Sequence, residues 1–344
     1  ILGTFGRGFY VMDDYSVLRA IENKAPEKPK IYPIRAALMW EQSSPLGLPG
    51  KSFQGDNFYT AENLGPEAII TYYYDTNFES LKEKRQKQEK ERIEKGSDTP
   101  YPSYDALKAE TEESKPELVF TIKDDQGKVV KKEFQPAKKG VQRFYWNLRY
   151  TLQNPINFNT SDFYNPFSGK DEGTLVAPGM YTVPMGLLKN AELQPLTEPI
   201  SFEVKALDNV EMPAENRDDK VAFQKEVSKT QANFGAAQRL MSESREKIKY
   251  IKAAIKRAEM PLNGLTTKVK AIEDKLDLLQ IKMYGDPVKR QLDIDQPPSP
   301  ASRLGAIGWQ QKYSTSTPTQ THRDSFAIAK TEIEIIKSDL EQIF

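Results

Sequence analysis

Apolar positions change their period along this chain, and the change divides it. The block Ala68-Ile69-Ile70-Thr71-Tyr72-Tyr73-Tyr74 is β-branched and aromatic, which predicts a strand. Two further runs, 117–123 and 128–134, flank Asp124-Asp125-Gln126-Gly127 and predict a hairpin. Phe144, Trp146, Leu148 and Tyr150 alternate with Arg143, Tyr145, Asn147 and Arg149, giving a strand whose apolar face centres on Trp146. Pro178-Gly179 turns the chain into a strand from Met180 to Met185, and residues 200–204 supply another. Short antiparallel strands separated by turn signals describe a β-sandwich of immunoglobulin or fibronectin III type.

From Asp218 the period becomes helical. Val227, Phe234, Met241, Ile248 and Ile255 recur at every seventh residue, with Gln231, Ala237, Ser244 and Ile251 between them. Met260-Pro261 ends this helix. Leu265, Val269, Ile272, Leu276, Leu279 and Met283 form a second stripe, which Gly285-Asp286-Pro287 terminates. Phe326, Ala329, Ile333, Ile336, Leu340 and Ile343 make a third. Three stripes predict a C-terminal α-helical bundle of three main helices over 214–344, with a Pro-rich crossover at 285–318 that contains a short helix near 301–309.

The remaining segments are less regular. Residues 3–14 read as one strand with a Gly-rich entry and a paired-Asp exit, and a lone strand cannot bury its own face. With no Met at position 1, the chain is expected to be the C-terminal part of a longer protein. Residues 15–66 are rich in Pro, Gly and aromatics and predict an extended linker lying on another body. Within the β-rich region, 67–210, the insertion 79–96 carries a run from Glu79 to Lys95 with seven basic and five acidic residues, a solvated helix or disordered insertion.

Composition narrows the function. Lys plus Arg equals Asp plus Glu at 49 each, so no net field supports a dedicated nucleic-acid binder. Cysteine is absent and His322 is the only histidine, which removes disulfides, thiol chemistry and the usual zinc ligands. No cofactor motif is present, and no stretch reaches membrane-spanning length.

Several motifs carry a family resemblance: Gly3-Thr4-Phe5-Gly6-Arg7-Gly8 with Asp13-Asp14 and Leu18-Arg19, Tyr101-Pro102-Ser103-Tyr104-Asp105, Val141 to Tyr150, Val176 to Val183, and Thr317-Pro318-Thr319-Gln320. With these the chain resembles the C-terminal region of large bacterial sortilin-like (VPS10-like) proteins, often labelled glycosyl hydrolases with BNR or Asp-box repeats. The resemblance implies a mixed multidomain fold in which residues 1–14 are the last strand of a β-propeller and 15–66 lie on it. It implies an extracytoplasmic address in the periplasm, at the outer-membrane surface or outside the cell. The function it implies is that of a non-catalytic accessory and protein-interaction region. Two alternatives stand beside it: support for a glycoside hydrolase whose carboxylates lie upstream, and a subunit of an envelope or secretion assembly. Its partners would be its own upstream propeller and an envelope protein or a glycan.

Six residues are candidates for structural or interaction roles. Arg7 between glycines reaches toward the propeller axis or pairs between blades. Asp13 and Asp14 are the sharpest carboxylate pair, but adjacent strand residues point to opposite faces. A glycosidase needs two carboxyls facing one sugar about 5 to 9 Å apart, so the pair reads as a turn or edge cap. Trp146 and the tyrosine block read as core rather than as a sugar platform. Phe167 and Trp309 lie in loop-like stretches where exposure favours contact. The acidic residues of 158–173 lack the EF-hand spacing for calcium. His322 lies in the first turn of the last helix as a cap or surface residue, with Thr319 or Thr321 as N-cap.

Overall fold

The protein is seen here in a computed structural model describing all residues except 7, 13, 22–25, 42–63, 157–171, 208, 209, 211, 261, 313 and 344. Its described residues fall into two units. The first draws on Ile1–Trp40, Gln54–Thr151 and Pro178–Asp208; the second draws on Glu41, Leu152–Ala177 and Asn209–Phe344.

In the first unit, β1 (Leu2–Thr4) and β2 (Gly8–Tyr10) form an antiparallel pair, so the expected single opening strand is a hairpin. Gly6 at φ 70° and Gly8 at φ 85° make the reversal, where a side chain would be strained, and Thr4 Oγ1 donates to the Gly8 carbonyl at 2.9 Å. A 3-10 turn at Ser16–Arg19 precedes β3 (Lys30–Ile31), β4 (Ala37–Met39) and β5 (Ala68–Tyr74). Next come α1 (Leu81–Glu94), α2 (Tyr104–Glu112), β6 (Glu117–Lys123), β7 (Val129–Pro136) and β8 (Gly140–Trp146). The unit ends with β9 (Gly179–Val183), β10 (Met185–Lys189), β11 (Glu192–Pro195) and β12 (Ile200–Ala206).

These strands build an open seven-stranded sheet in the order β11-β10-β6-β9-β12-β4, with β7 also on β6, and a three-stranded sheet β3-β5-β8. The expected propeller strand and immunoglobulin or fibronectin III sandwich are therefore corrected to a mixed α/β unit with unclosed sheets. Two features divert the strands from the expected pattern. β4 joins β12 in parallel, against the antiparallel meander that alternation predicted. β9 and β10 are separated only by Pro184, which has no amide proton; both pair with β6, but the other neighbour of β9 is β12 and that of β10 is β11.

Aromatic side chains fill the centre of this unit. Phe120 of β6 lies 4.8 Å from Tyr72 and 4.6 Å from Phe144 between ring centroids, and Trp146 lies 5.5 Å from Tyr181 and 6.0 Å from Phe202. Tyr72, Tyr73 and Tyr74 of β5 are all buried. Val17 and Tyr32, from the segment expected to lie on another body, pack with Tyr73.

The helices of this unit sit outside that core. α1 starts with a capping box: Ser80 Oγ accepts from Glu83 N at 3.1 Å, and Ser80 N donates to Glu83 Oε2 at 2.8 Å. α2 is capped by Ser103, the serine of the Tyr101–Asp105 motif. Neither helix has a buried residue, and a guanidinium fork links them: Arg85 Nε and Nη2 donate to Glu110 Oε1 and Oε2 at 2.6 and 2.9 Å. The Arg85 bond holds the Glu110 carboxyl below its usual range, against the opposing effect of desolvation. A depressed folded-state pKa gives stability that is present above the ordinary carboxylate range and lost as pH falls through the depressed value. Arg85→Ala is expected to lower the amide protection factors throughout α2 at neutral pH, and acid is expected to lower them in the unaltered protein, each taken relative to the intrinsic exchange rate at the same pH. Unchanged α2 protection in both experiments would show that the fork does not hold the pair.

The second unit is helical: α3 (Arg217–Arg257), α4 (Asn263–Tyr284), α5 (Pro287–Gln291), α6 (Pro300–Lys312) and α7 (Gln320–Glu341). Arg323 pairs with Asp219 at 2.6 Å and Lys330 with Glu226 at 3.5 Å, so α7 runs parallel to α3. Lys252–Glu273 at 2.6 Å and Arg245–Asp277 at 2.7 Å set α4 antiparallel to α3. The three expected stripes meet in one core, but Leu304 and Ile307 of α6 are buried in it too. The three-helix expectation is corrected to a bundle of four principal helices.

Candidate functional site

Arg7, Asp13 and Phe167 lie outside the described residues, as do Asp162 and Asp171 of the acidic stretch. Asp14 is buried, and its Oδ1 accepts from Ser16 N at 2.9 Å and Ser16 Oγ at 2.6 Å. Burial pushes its carboxyl up, but the Ser16 bonds and the charges of Arg143 and Arg35 outweigh burial and hold it below its usual range. This is the geometry of a carboxylate closing a turn. Trp146 is fully buried, and its indole N–H donates to the Arg149 carbonyl at 3.1 Å. Tyr72 is buried as well, its phenol pushed up to about 12 by desolvation. Both lie in the core rather than on a sugar platform.

In the helical unit, Trp309 lies exposed on α6. His322 pins the α6–α7 corner. Thr319 N donates to His322 Nδ1 at 3.3 Å while Thr319 Oγ1 accepts from His322 N at 3.3 Å, making Thr319 the N-cap. The ring also meets Gln311 Nε2 at 3.0 Å and Gln310 Oε1 at 2.6 Å. With Nδ1 accepting, the proton is assigned to Nε2, facing Gln310. Among the described residues no group of three or more His, Cys, Asp or Glu is placed to hold a metal ion. Of the described candidates, Asp14 and Trp146 belong to the first unit and Trp309 to the second.

A groove of about 940 Å³ runs between α3 and α6, lined in part by Asn154, Gln231, Gln238, Arg239 and Gly305. Most of its polar side chains already have partners within the unit. Gln231 Nε2 donates to the Leu304 carbonyl at 3.1 Å, Gln238 bonds the Tyr284 hydroxyl, and Arg239 meets Glu243 at 2.9 Å and the Ile156 carbonyl at 2.5 Å. Binding there would displace bonds that hold the helices together.

The end of the α3–α4 hairpin differs. α3 has 41 residues and so a length of about 60 Å. Its last buried residue is Ile248, and the first buried residue of α4 is Val269; between them only Ile255 packs in part against the core. Residues 247–270 contain seven basic residues and one acidic residue, Glu259. Lys252 is paired with Glu273 and Lys270 with Asp274. Lys247, Lys249, Lys256, Arg257 and Lys268 are exposed, and among the described residues none of them forms an ion pair. Lys256 and Arg257 suit the negative end of the α3 dipole. No such account serves Lys268 or Lys270, near the positive end of α4, which has neither a side-chain cap nor an acidic first turn.

Apolar side chains accompany these charges. Met260 is 73% exposed and Tyr250 71% exposed, with Ile251, Leu262 and Leu265 also exposed.

No protein-family model, curated protein or solved structure matches the chain. Without a family match, and with open sheets in place of a closed propeller, the sortilin-like accessory function and its hydrolase and envelope-assembly alternatives are withdrawn. No described helix is long and apolar enough to cross a membrane.

The hairpin end was missed because charge was balanced over the whole chain, where it sums to zero. A window no longer than one helical hairpin reveals the seven-to-one bias. Its meaning depends on which cations lack partners, and that requires the fold.

Proposed function

We propose that this chain is a binding protein whose helical unit holds out the end of the α3–α4 hairpin as a contact surface for a negatively charged partner. One observation carries the reading: five exposed cations at the hairpin end, Lys247, Lys249, Lys256, Arg257 and Lys268, form no ion pair among the described residues, in a chain of zero net charge. Such a patch raises the local concentration of anions and speeds their capture, and its effect weakens with salt.

The test compares two variants of the full chain on phosphocellulose. In one the five hairpin cations become glutamine; in the other Lys82, Lys84, Lys87, Lys90 and Arg92 of α1 do, an equal loss of charge elsewhere. The hairpin variant is expected to elute at clearly lower salt than the unaltered protein, and the α1 variant close to it. Equal losses of retention would show that net charge alone acts and would overturn the reading.

A further inference from the structure

We infer that the negatively charged partner is the surface of an anionic phospholipid bilayer. This rests on the proposal that the hairpin end is the binding surface and names what it binds.

The arrangement of charge and apolar surface carries the inference. Met260, Leu262 and Leu265 lie in the turn and in the first turn of α4, at the extremity of the hairpin, and all three are exposed. Lys256 and Arg257 precede them and Lys268 and Lys270 follow within two turns of helix. An apolar apex between cations matches the layering of a membrane interface. The apex enters the acyl boundary while ammonium and guanidinium groups remain at the level of the phosphates. Tyr250, 71% exposed on α3, adds an aromatic ring of the kind that settles among headgroups.

A nucleic-acid duplex satisfies only half of this surface. Its phosphates would take the cations, but Met260, Leu262 and Leu265 offer neither hydrogen bonds nor aromatic faces to bases. An acidic protein face would need a pocket for the apex. A bilayer needs no pocket, only exposed apolar side chains among cations. Adsorption without spanning also agrees with the lack of a described helix long and apolar enough to cross.

The experiment is co-sedimentation of the full chain with phosphatidylcholine vesicles, with and without phosphatidylglycerol. Binding is expected only where phosphatidylglycerol is present. Replacing the five unpaired cations by glutamine is expected to weaken it by roughly a hundredfold or more, given the gain per basic residue at an anionic leaflet. M260S/L262S/L265S, which keeps every charge, is expected to weaken it by roughly tenfold or more through loss of apolar insertion. Met260→Trp supplies a spectroscopic readout, with a blue shift on phosphatidylglycerol vesicles and none on phosphatidylcholine alone. All substituted positions are exposed, and far-UV circular dichroism checks that the helices persist.

Failure to sediment with phosphatidylglycerol vesicles overturns the lipid inference, while retention on phosphocellulose through the same cations leaves the binding reading standing. Failure of both removes both. Tighter binding to duplex DNA than to vesicles, indifferent to M260S/L262S/L265S, assigns the end to nucleic acid and also overturns the inference. Vesicle binding that survives loss of the five cations overturns it as well, since the contact would then lie elsewhere.

Discussion

Trp146→Ala is expected to destabilise the first unit by about 3 to 5 kcal/mol, measured as a shift of its urea denaturation midpoint by circular dichroism. The side chain is fully buried against Tyr181 and Phe202, so truncation leaves a void that these rings fill only in part. It also removes the donor to the Arg149 carbonyl. That bond helps reverse the chain after β8, where Leu148 adopts φ 54° without being glycine. Trp146→Phe separates the two contributions: most of the burial remains, and the loss is expected to fall to about 1 to 2 kcal/mol. A loss below about 1 kcal/mol for the alanine variant would contradict core packing. Since domains have total stabilities of about 5 to 15 kcal/mol, the expected effect is a large share of what holds the unit folded.

Trp146 also illustrates what was legible in the sequence. Strict alternation placed Phe144, Trp146, Leu148 and Tyr150 on one face; the first three are buried and Tyr150 is half-buried. Turn chemistry was equally readable at Asp124–Gly127, where Asp124 Oδ1 accepts from Gln126 N at 3.2 Å and Lys128 N at 2.8 Å, and Gly127 takes φ 76°. The β10–β11 hairpin was not, because its two-residue turn is Asn190-Ala191 rather than Asn-Gly. Both residues take positive φ, 52° and 63°, and alanine gives no warning of that conformation. β4 was hidden for a different reason. Its three residues match no periodic template, and its pairing with β12 spans more than 160 positions of sequence. Long-range pairing of a short strand leaves no local trace, so strands were identified more readily than their partners.

The proposed binding surface was obscured by a related limit. Its residues were visible as the polar face of two amphipathic helices, and a polar face ordinarily needs no explanation. Lys252 and Lys270 fit that ordinary role, each satisfied by an acid of α4. The other five cations stand out only after such pairs have been subtracted.

Ile307→Ala is expected to cost the helical unit about 3 kcal/mol in urea denaturation, a test of whether α6 belongs to the bundle or merely crosses it. The crossover expectation arose from the prolines of 285–318, which are poor helix formers and normally mark connections. In the fold, Gly308 has a positive reason to be small. A Cβ there would come within 2.5 Å of Gln231 Nε2, which donates to the Leu304 carbonyl one turn earlier on α6. Gln224, seven residues before Gln231, donates to the Gln311 carbonyl at 2.9 Å. Gln231, a polar position that weakens the α3 stripe, therefore fastens α6, and Gln224 does the same. Gly308→Ala is expected to displace the Gln231 amide, at a cost of about 1 kcal/mol for the lost bond, partly offset by alanine's better helix propensity. Ile307→Ala has no such offset, because the residue is 2% exposed and shares its core with Leu304 and Phe326. A crossover lying on the surface would lose less than about 0.5 kcal/mol from the same change. A loss near 3 kcal/mol at Ile307 with a much smaller one at Gly308 would make α6 a core helix whose glycine serves packing; near-zero losses at both would return it to a surface connection.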